Sequence, residues 1–164
     1  MKTLIVKLTL FLFFFSLFTS CSPEEDDIYF DEVLESKISY TPIENEILDL
    51  VNNYRVEKGL ISLNKLNIIS SVAETHTHYM VNLGELNHDY FPERHEKLVQ
   101  NANAKSVGEN VAFGYSSAKS VVNAWLLSDS HREIIENPGY THFGISTDND
   151  SQGNNYFTHI FIKQ

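Results

Sequence analysis

Two apolar stripes with helical spacing fill the first half of the chain and limit the folds that it can form. The first follows Thr41-Pro42-Ile43-Glu44, in which threonine is the N-cap, proline takes the first helical position and glutamate completes a capping box. It continues past Tyr54 and stops at Gly59. The second covers residues 66–83 and ends at Gly84. Two amphipathic helices are therefore predicted, and both need an apolar layer to pack against.

The end of the chain predicts that layer as a β-hairpin. Residues 142–146 and 156–162 are rich in aromatic and β-branched side chains, and the polar residues 148–155 between them suit a turn. A third strand is predicted over residues 111–113. The predicted order of elements is helix, helix, short helix, strand, helix, strand, strand. This order favours an α+β fold with an antiparallel sheet between helical layers.

Shorter segments connect these elements. A helix is predicted over residues 92–101, and its basic residues Arg94, His95 and Lys97 indicate a solvated face. Ser116-Ser117 is expected to cap a helix. A short further helix carries His131 and ends at residues 137–139. Its serines, Ser128 and Ser130, are interpreted as helix caps, His76 as a satisfied core histidine and Asn110 as a structural side chain. The predicted core aromatic residues are Trp125, Phe143, Phe157 and Phe161.

The N-terminus has the pattern of a secretory signal. Lys2 and Lys7 precede an apolar run over residues 8–18, which small residues follow. This run is too short to span a bilayer comfortably, because a transmembrane helix needs about 20 apolar residues. An exported protein is therefore predicted.

Cys21 is the only cysteine, and it stands where a signal peptide would be cut. The segment FTSC resembles the lipobox of bacterial lipoproteins, with Phe18 where leucine is usual; the alternative is an incidental thiol in a discarded segment. The acidic residues 24–27 resemble the tract that follows this cysteine in surface-exposed lipoproteins of Bacteroidetes. We therefore predict a lipoprotein signal peptide (1–20), an acidic linker (21–40) lipidated at Cys21 and one domain (41–164). Such a protein would be anchored to the cell envelope, at the outer membrane and facing the surface.

Charge and cysteine content restrict the partners. The chain has 12 Lys and Arg against 22 Asp and Glu, a formal charge of −10. Loss of Lys2 and Lys7 with the signal would leave a charge of about −12. Phosphate binding needs a basic surface, so nucleic acid is not an expected partner. Because no cysteine follows position 21, the domain has no disulfide bonds and must hold by packing alone.

Four segments occur in a diagnostic order. They are AETHTHYM (73–80), LNHD (86–89), GENV (108–111) and WLLSDSHREII (125–135). A GEN tripeptide alone is a weak signal, but GEN between a histidine-bearing loop and a W-x-x-S-x-x-H-R helix is a strong one. Over residues 43–164 the sequence resembles the CAP superfamily, whose domain is also called SCP, in its bacterial secreted branch.

The resemblance implies a fold and a site. The fold is an α-β-α sandwich with a three- or four-stranded antiparallel sheet. The site is a cleft in which His88 matches the first family histidine, Glu109 the GEN glutamate and His131 the histidine of the bacterial SxxHR motif. A carboxylate among imidazoles favours their protonated form, and two histidines with a carboxylate can also hold Zn²⁺. His88, His131 and Glu109 are therefore also candidate metal ligands.

Some positions depart from the family pattern. Ser128 stands where animal and plant members carry a second cleft glutamate, and Tyr156 stands in place of a histidine near the last strand. His131 is a candidate to fill the vacant space. Arg132 has two interpretations, an ion-pair partner of Glu109 or an exposed helix charge. We favour the first, because a basic group beside a buried acid offsets its desolvation.

Three classes of function fit these residues. The first is a surface-tethered module whose cleft binds a small ligand, a lipid, an envelope glycan or a protein. The second is a hydrolase that uses the same cleft with a metal or with a histidine base. The third is a structural spacer, which leaves the cleft residues without a role. The binding module is favoured over the hydrolase, because the domain has no G-x-S-x-G motif and no cysteine nucleophile.

Overall fold

A computed structural model describes residues 39–164 of the chain. The predicted signal peptide, the linker up to residue 38 and the lipidation site Cys21 lie outside the described residues. Five helices and four strands form in the described part. In chain order they are α1 (Pro42–Glu57), β1 (Asn64–Lys65), α2 (Asn67–Leu83), α3 (Phe91–Ala102), β2 (Ser106–Phe113), α4 (Ala118–Leu127), α5 (Asp129–Glu136), β3 (His142–Asn149) and β4 (Asn155–Lys163). None of these helices is long and apolar enough to cross a membrane.

The predicted helix signals are confirmed at both long helices. Thr41 caps α1 through its side chain and Glu44 returns a bond to the Thr41 backbone, which is the predicted capping box. Helix α2 ends at Gly84, which has a left-handed φ of 76°. This conformation favours glycine because it lacks a Cβ.

The four strands form one sheet in the order β1-β3-β4-β2. Strand β4 pairs antiparallel with β3 on one side and with β2 on the other. These three strands confirm the predicted antiparallel sheet, although β2 starts five residues before the predicted strand. The two-residue strand β1 joins β3 in parallel, which makes the sheet mixed. Strand β2 is the edge on the other side.

The two faces of the sheet carry separate apolar cores, which confirms the predicted sandwich. The alternate residues Phe157 and Phe161 of β4 pack with α1, α4 and α5. Ile160 and Ile162 face the opposite way and pack with α2 and α3. The predicted core aromatic residues are all buried. Helix α3 on one face and helix α5 on the other thus border the β2 edge of the sheet.

Two close contacts fix the helices in place. A Cβ at Gly144 of β3 would lie 2.5 Å from the backbone nitrogen of Ser70, so glycine allows α2 to approach the sheet. Arg55 of α1 is completely buried and donates to the carbonyl oxygens of Ile135 (2.5 Å) and Asn137 (3.0 Å). These carbonyls lie at the C-terminal end of α5, where a positive charge is favourable. Arg55 therefore holds α5 against α1.

Candidate functional site

A buried ion pair lies at the centre of the site. Glu109 of β2 is 4% exposed, and Arg94 of α3 is 1% exposed. Arg94 donates from Nε to Oε2 of Glu109 (2.8 Å) and from Nη2 to Oε1 (2.7 Å). This two-bond arrangement is the strongest geometry for an arginine with a carboxylate. Arg94 also donates to the backbone oxygen of Asp89, so the pair holds the loop that precedes α3.

His88 joins the pair from that loop. Its Nδ1 lies 2.8 Å from Oε1 of Glu109. An ionised carboxylate only accepts hydrogen bonds, so Nδ1 carries the proton and donates. The imidazole is 50% exposed, whereas Glu109 is 1% exposed at its side chain. The ring is therefore anchored on its inner side, and its Nε2 is left for contacts outside the pair.

His76 forms the inner wall of the site. It is 2% exposed, its Nε2 donates to the backbone oxygen of Asn87 (2.9 Å), and it lies 4.0 Å from Oε1 of Glu109. The expected core position of His76 is thus confirmed, but only Nε2 is satisfied, because Nδ1 is buried without a hydrogen-bond partner among the described residues. Burial lowers the pKa of His76, and the positive charge of Arg94 lowers it further. The ring is consequently neutral at neutral pH.

The pKa of Glu109 reflects two opposing effects. Burial alone would raise it, since a charge is disfavoured away from water. The hydrogen bonds from His88 and Arg94 and the charge of Arg94 outweigh burial and leave the pKa below its ordinary value. Glu109 therefore remains ionised at neutral pH.

His131 lies on α5, on the other side of β2 from α3. The side chain of Asn110 donates to the His131 backbone oxygen (3.1 Å), which ties α5 to the GEN segment and supports the predicted structural role of Asn110. The pKa of His131 is lowered by burial and then by the charge of His88, so the two imidazoles are close enough to influence each other. His131 Nδ1 lies 2.7 Å from Oγ of Ser128. Ser128 takes the N-cap position of α5, as interpreted, but its side chain makes no capping bond to the α5 backbone.

Arg132 does not take the place that was expected for it. Its guanidinium pairs with Asp129 (2.5 Å) and donates to the backbone oxygen of Leu126 (3.0 Å). The predicted ion pair with Glu109 is therefore wrong. Asp129 is three residues away on the same helix and is the nearer partner, while Arg94 already occupies both oxygens of Glu109.

The described side chains do not form the predicted zinc site. Among residues 39–164, no group of three His, Cys, Asp or Glu side chains is arranged to hold a metal ion. Both oxygens of Glu109 accept from Arg94, and the fixed charge of this arginine opposes a second cation beside it. His88, His131 and Glu109 thus do not fit a three-ligand Zn²⁺ centre.

Tyr156, which replaces a family histidine, is also remote from this chemistry. It is 3% exposed and packs with Met80 and Val111 at one end of the sheet. Its ring lies 4.5 Å from that of Phe113. Tyr156 therefore has a packing role.

A cleft opens over the β2 edge, between α3 on one side and α5 on the other. Its volume is about 330 Å³. The lining residues are His88, Phe91, Val107, Gly108, Glu109, Ile134 and Tyr140. Most of the wall is apolar, and the anchored imidazole of His88 stands at one end. Sites for small ligands commonly combine an apolar wall with a few fixed polar groups.

The fold and this site define a class: α-β-α sandwich proteins with a histidine-carboxylate cleft at the sheet edge. Residues 48–161 match the family described as "CAP: Cysteine-rich secretory protein family". The match covers more than half of the chain. The protein belongs to the CAP family.

Similar proteins agree with this assignment. The uncharacterized membrane protein YlbC of Bacillus subtilis is 32% identical over 133 residues, which are 76% of this chain and 35% of that protein. An outer surface protein of Borrelia burgdorferi superposes with a TM-score of 0.69 at 21% identity, over 79% of this chain and 98% of that one. An extracellular SCP-domain protein of Bacillus anthracis superposes with a TM-score of 0.63 at 26% identity, over 77% of this chain and 45% of that one.

The chain spans less than half the length of the curated relatives that it matches. The neighbour from Bacillus anthracis is an extracellular protein, which supports an exported protein.

Proposed function

We propose that the protein is an exported CAP-domain lipoprotein whose cleft binds a ligand or partner at the cell envelope. The tether is a lipid on Cys21, and the anchor lies in the outer membrane with the domain facing the surface. The bound material is a small ligand, a lipid, an envelope glycan or a protein.

The anchored half-exposed His88 is the observation that carries this proposal. A buried carboxylate and a buried arginine are costly to maintain unless each is fully paired. Here they hold one imidazole at the end of an apolar cleft. Such a fixed polar group beside apolar walls gives a ligand its orientation.

A hydrolase is the second candidate. The contact of His88 Nδ1 with Glu109 (2.8 Å) favours it, because a carboxylate in this position orients an imidazole to act as a base through Nε2. Hydrolysis of p-nitrophenyl acetate by the parent but not by His88→Ala would support this alternative. The binding function needs no hydrolytic step.

Co-sedimentation tests the binding function. The full chain, purified in detergent that keeps the Cys21 lipid in micelles, is mixed separately with detergent-insoluble envelope polymer and with extracted envelope lipid coupled to beads. We expect one of these probes to retain the parent at least about tenfold better than His88→Ala, because the variant loses the fixed polar group of the cleft. His78→Ala, at a half-exposed histidine of α2 outside the cleft lining, is the matched control and should behave as the parent. Equal retention of all three proteins by both probes would refute the proposal.

Replacing Cys21 tests the tether. We expect Cys21→Ala either to leave the membrane fraction or to accumulate unprocessed, because the lipid would have no attachment site. Ser20→Ala keeps the cysteine and is the control. A Cys21→Ala protein that is processed and still fractionates with membranes would contradict the lipid anchor.

A further inference from the structure

One hydroxyl that faces the cleft is not used by the network around Glu109. Tyr140 lines the cleft on the α5 side, whereas His88 lies on the α3 side. Tyr140 is only 6% exposed, yet its Oη forms no hydrogen bond with residues 39–164. The ring is buried, whereas the hydroxyl is accessible from the cleft. The cleft therefore contains an unused hydrogen-bond donor.

The position of this hydroxyl depends on the glycine of the GEN motif. A Cβ at residue 108 would collide with Oη of Tyr140 and would lie 3.1 Å from Cγ2 of Ile134. The Tyr140 ring stacks on Phe161 with 5.9 Å between the ring centroids. Gly108 thus provides the space, and Phe161 fixes the ring. Burial raises the pKa of Tyr140, so the hydroxyl keeps its proton and can donate at neutral pH.

The residues around the Tyr140 hydroxyl indicate which kind of ligand atom would accept its hydrogen bond. Phe91, Val107 and Ile134 supply an apolar wall. The only carboxylate in the lining is Glu109, whose charge Arg94 compensates. The other titratable side chain at the cleft end, His88, is neutral or positive. An anionic oxygen would therefore meet donors and no uncompensated negative charge.

We propose that Tyr140 is a ligand-binding residue of this cleft and that its hydroxyl donates to the carboxylate of the ligand. The apolar body of the ligand packs on Phe91, Val107 and Ile134. This inference rests on the proposed binding function and specifies its ligand class, a carboxylate on a compact apolar body.

Calorimetric titration with benzoate and benzamide tests the inference on the full chain in detergent. The two probes have the same shape, but only benzoate is charged. We expect the parent to bind benzoate about tenfold more tightly than benzamide. We also expect Tyr140→Phe, which keeps the ring contact with Phe161, to weaken benzoate binding about tenfold, as for a lost hydrogen bond to a charged group. Tyr115→Phe, outside the cleft lining, is the matched control.

A second measurement does not depend on a variant. Benzoate should shift the NMR amide signals of Gly108 and Ile134 in the parent and leave that of Gly153, in the β3-β4 turn, unchanged. Equal benzoate affinity in parent and Tyr140→Phe would overturn the role of Tyr140. Equal affinity of the parent for benzamide would overturn the carboxylate class. Failure of benzoate to bind would overturn the inference as a whole, while the co-sedimentation result would still decide the binding function.

Discussion

Replacing Arg94 with methionine should destabilise the domain by about 3 to 5 kcal/mol at pH 7, the typical cost of breaking a buried ion pair from one side. Methionine fills similar space in the core but leaves the carboxylate of Glu109 buried with only His88 as a close partner. Urea denaturation of the parent and the variant at equal protein concentration measures the difference. The loss should also free His88, because the loop that Arg94 holds through Asp89 is released.

Arg132→Met is the matched control for this experiment. It removes the same type of side chain from a pair with the exposed Asp129 at the surface, where ion pairs contribute little. We expect little change in stability. Similar stability of the two variants would mean that the pair of Arg94 with Glu109 is not buried as described.

The pH dependence of the Arg94→Met effect gives a further check. In the parent the pKa of Glu109 is lowered, so its contribution to stability is present above the ordinary carboxyl pKa and is lost as the pH falls through the lower folded-state value. In the variant, Arg94 no longer lowers the pKa of Glu109, so the effect of burial dominates and this pKa should rise. A raised pKa makes the ionised carboxyl unfavourable in the folded state. The difference between parent and variant should therefore shrink as the pH is lowered toward the ordinary carboxyl value.

His159→Phe should make the domain less sensitive to acid. His159 of β4 is completely buried among the rings of Trp125, Phe143 and Phe161, and neither ring nitrogen has a hydrogen-bond partner. Burial lowers the pKa of His159 from 6.5 to about 3. Between these values the unfolded chain binds a proton that the folded protein does not, so stability falls as the pH falls. His159 should cost the parent about 2.5 kcal/mol between pH 7 and pH 4.5.

Phenylalanine suits this position because it keeps an aromatic ring and removes two unsatisfied nitrogens. The variant should be at least as stable as the parent at pH 7, and its advantage should grow to about 2.5 kcal/mol or more at pH 4.5. Guanidinium denaturation at the two pH values measures both. His78→Phe is the control, since His78 is 46% exposed beside Asp148. An advantage of His159→Phe that does not change with pH would contradict the buried neutral histidine.

The helices could be predicted from the sequence because their signals are local. The capping box at Thr41 and the glycine stop at Gly84 involve residues within one or two turns of each other. Strand β2 was predicted too short, because Gly108, Glu109 and Asn110 have low strand propensity and alternation is absent. Their strand conformation comes from pairing with β4, some 50 residues away in the chain.

His88 was correctly placed beside Glu109, but Arg94 was missed as its cationic partner. The cations near Arg94 suggested a solvated helix face, but Arg94, Leu98 and Ala102 recur every four residues and form the buried stripe of α3. This spacing was present in the sequence and could have placed Arg94 inside. Arg132 could not be excluded in the same way, because its distance from Glu109 depends on how α5 packs, which no local pattern determines.

The two walls of the cleft belong to different halves of the molecule. Phe91 and His88 are attached to the α2-α3 side of the sheet, whereas Ile134 and Tyr140 pack with the core on the α1-α4-α5 side. The sheet separates these cores, so each half can open locally without the other. A molecule held between the walls would link them, and its binding energy would be added to the cost of opening either half. A ligand in the cleft would thereby make the two halves of the domain open together as one cooperative unit.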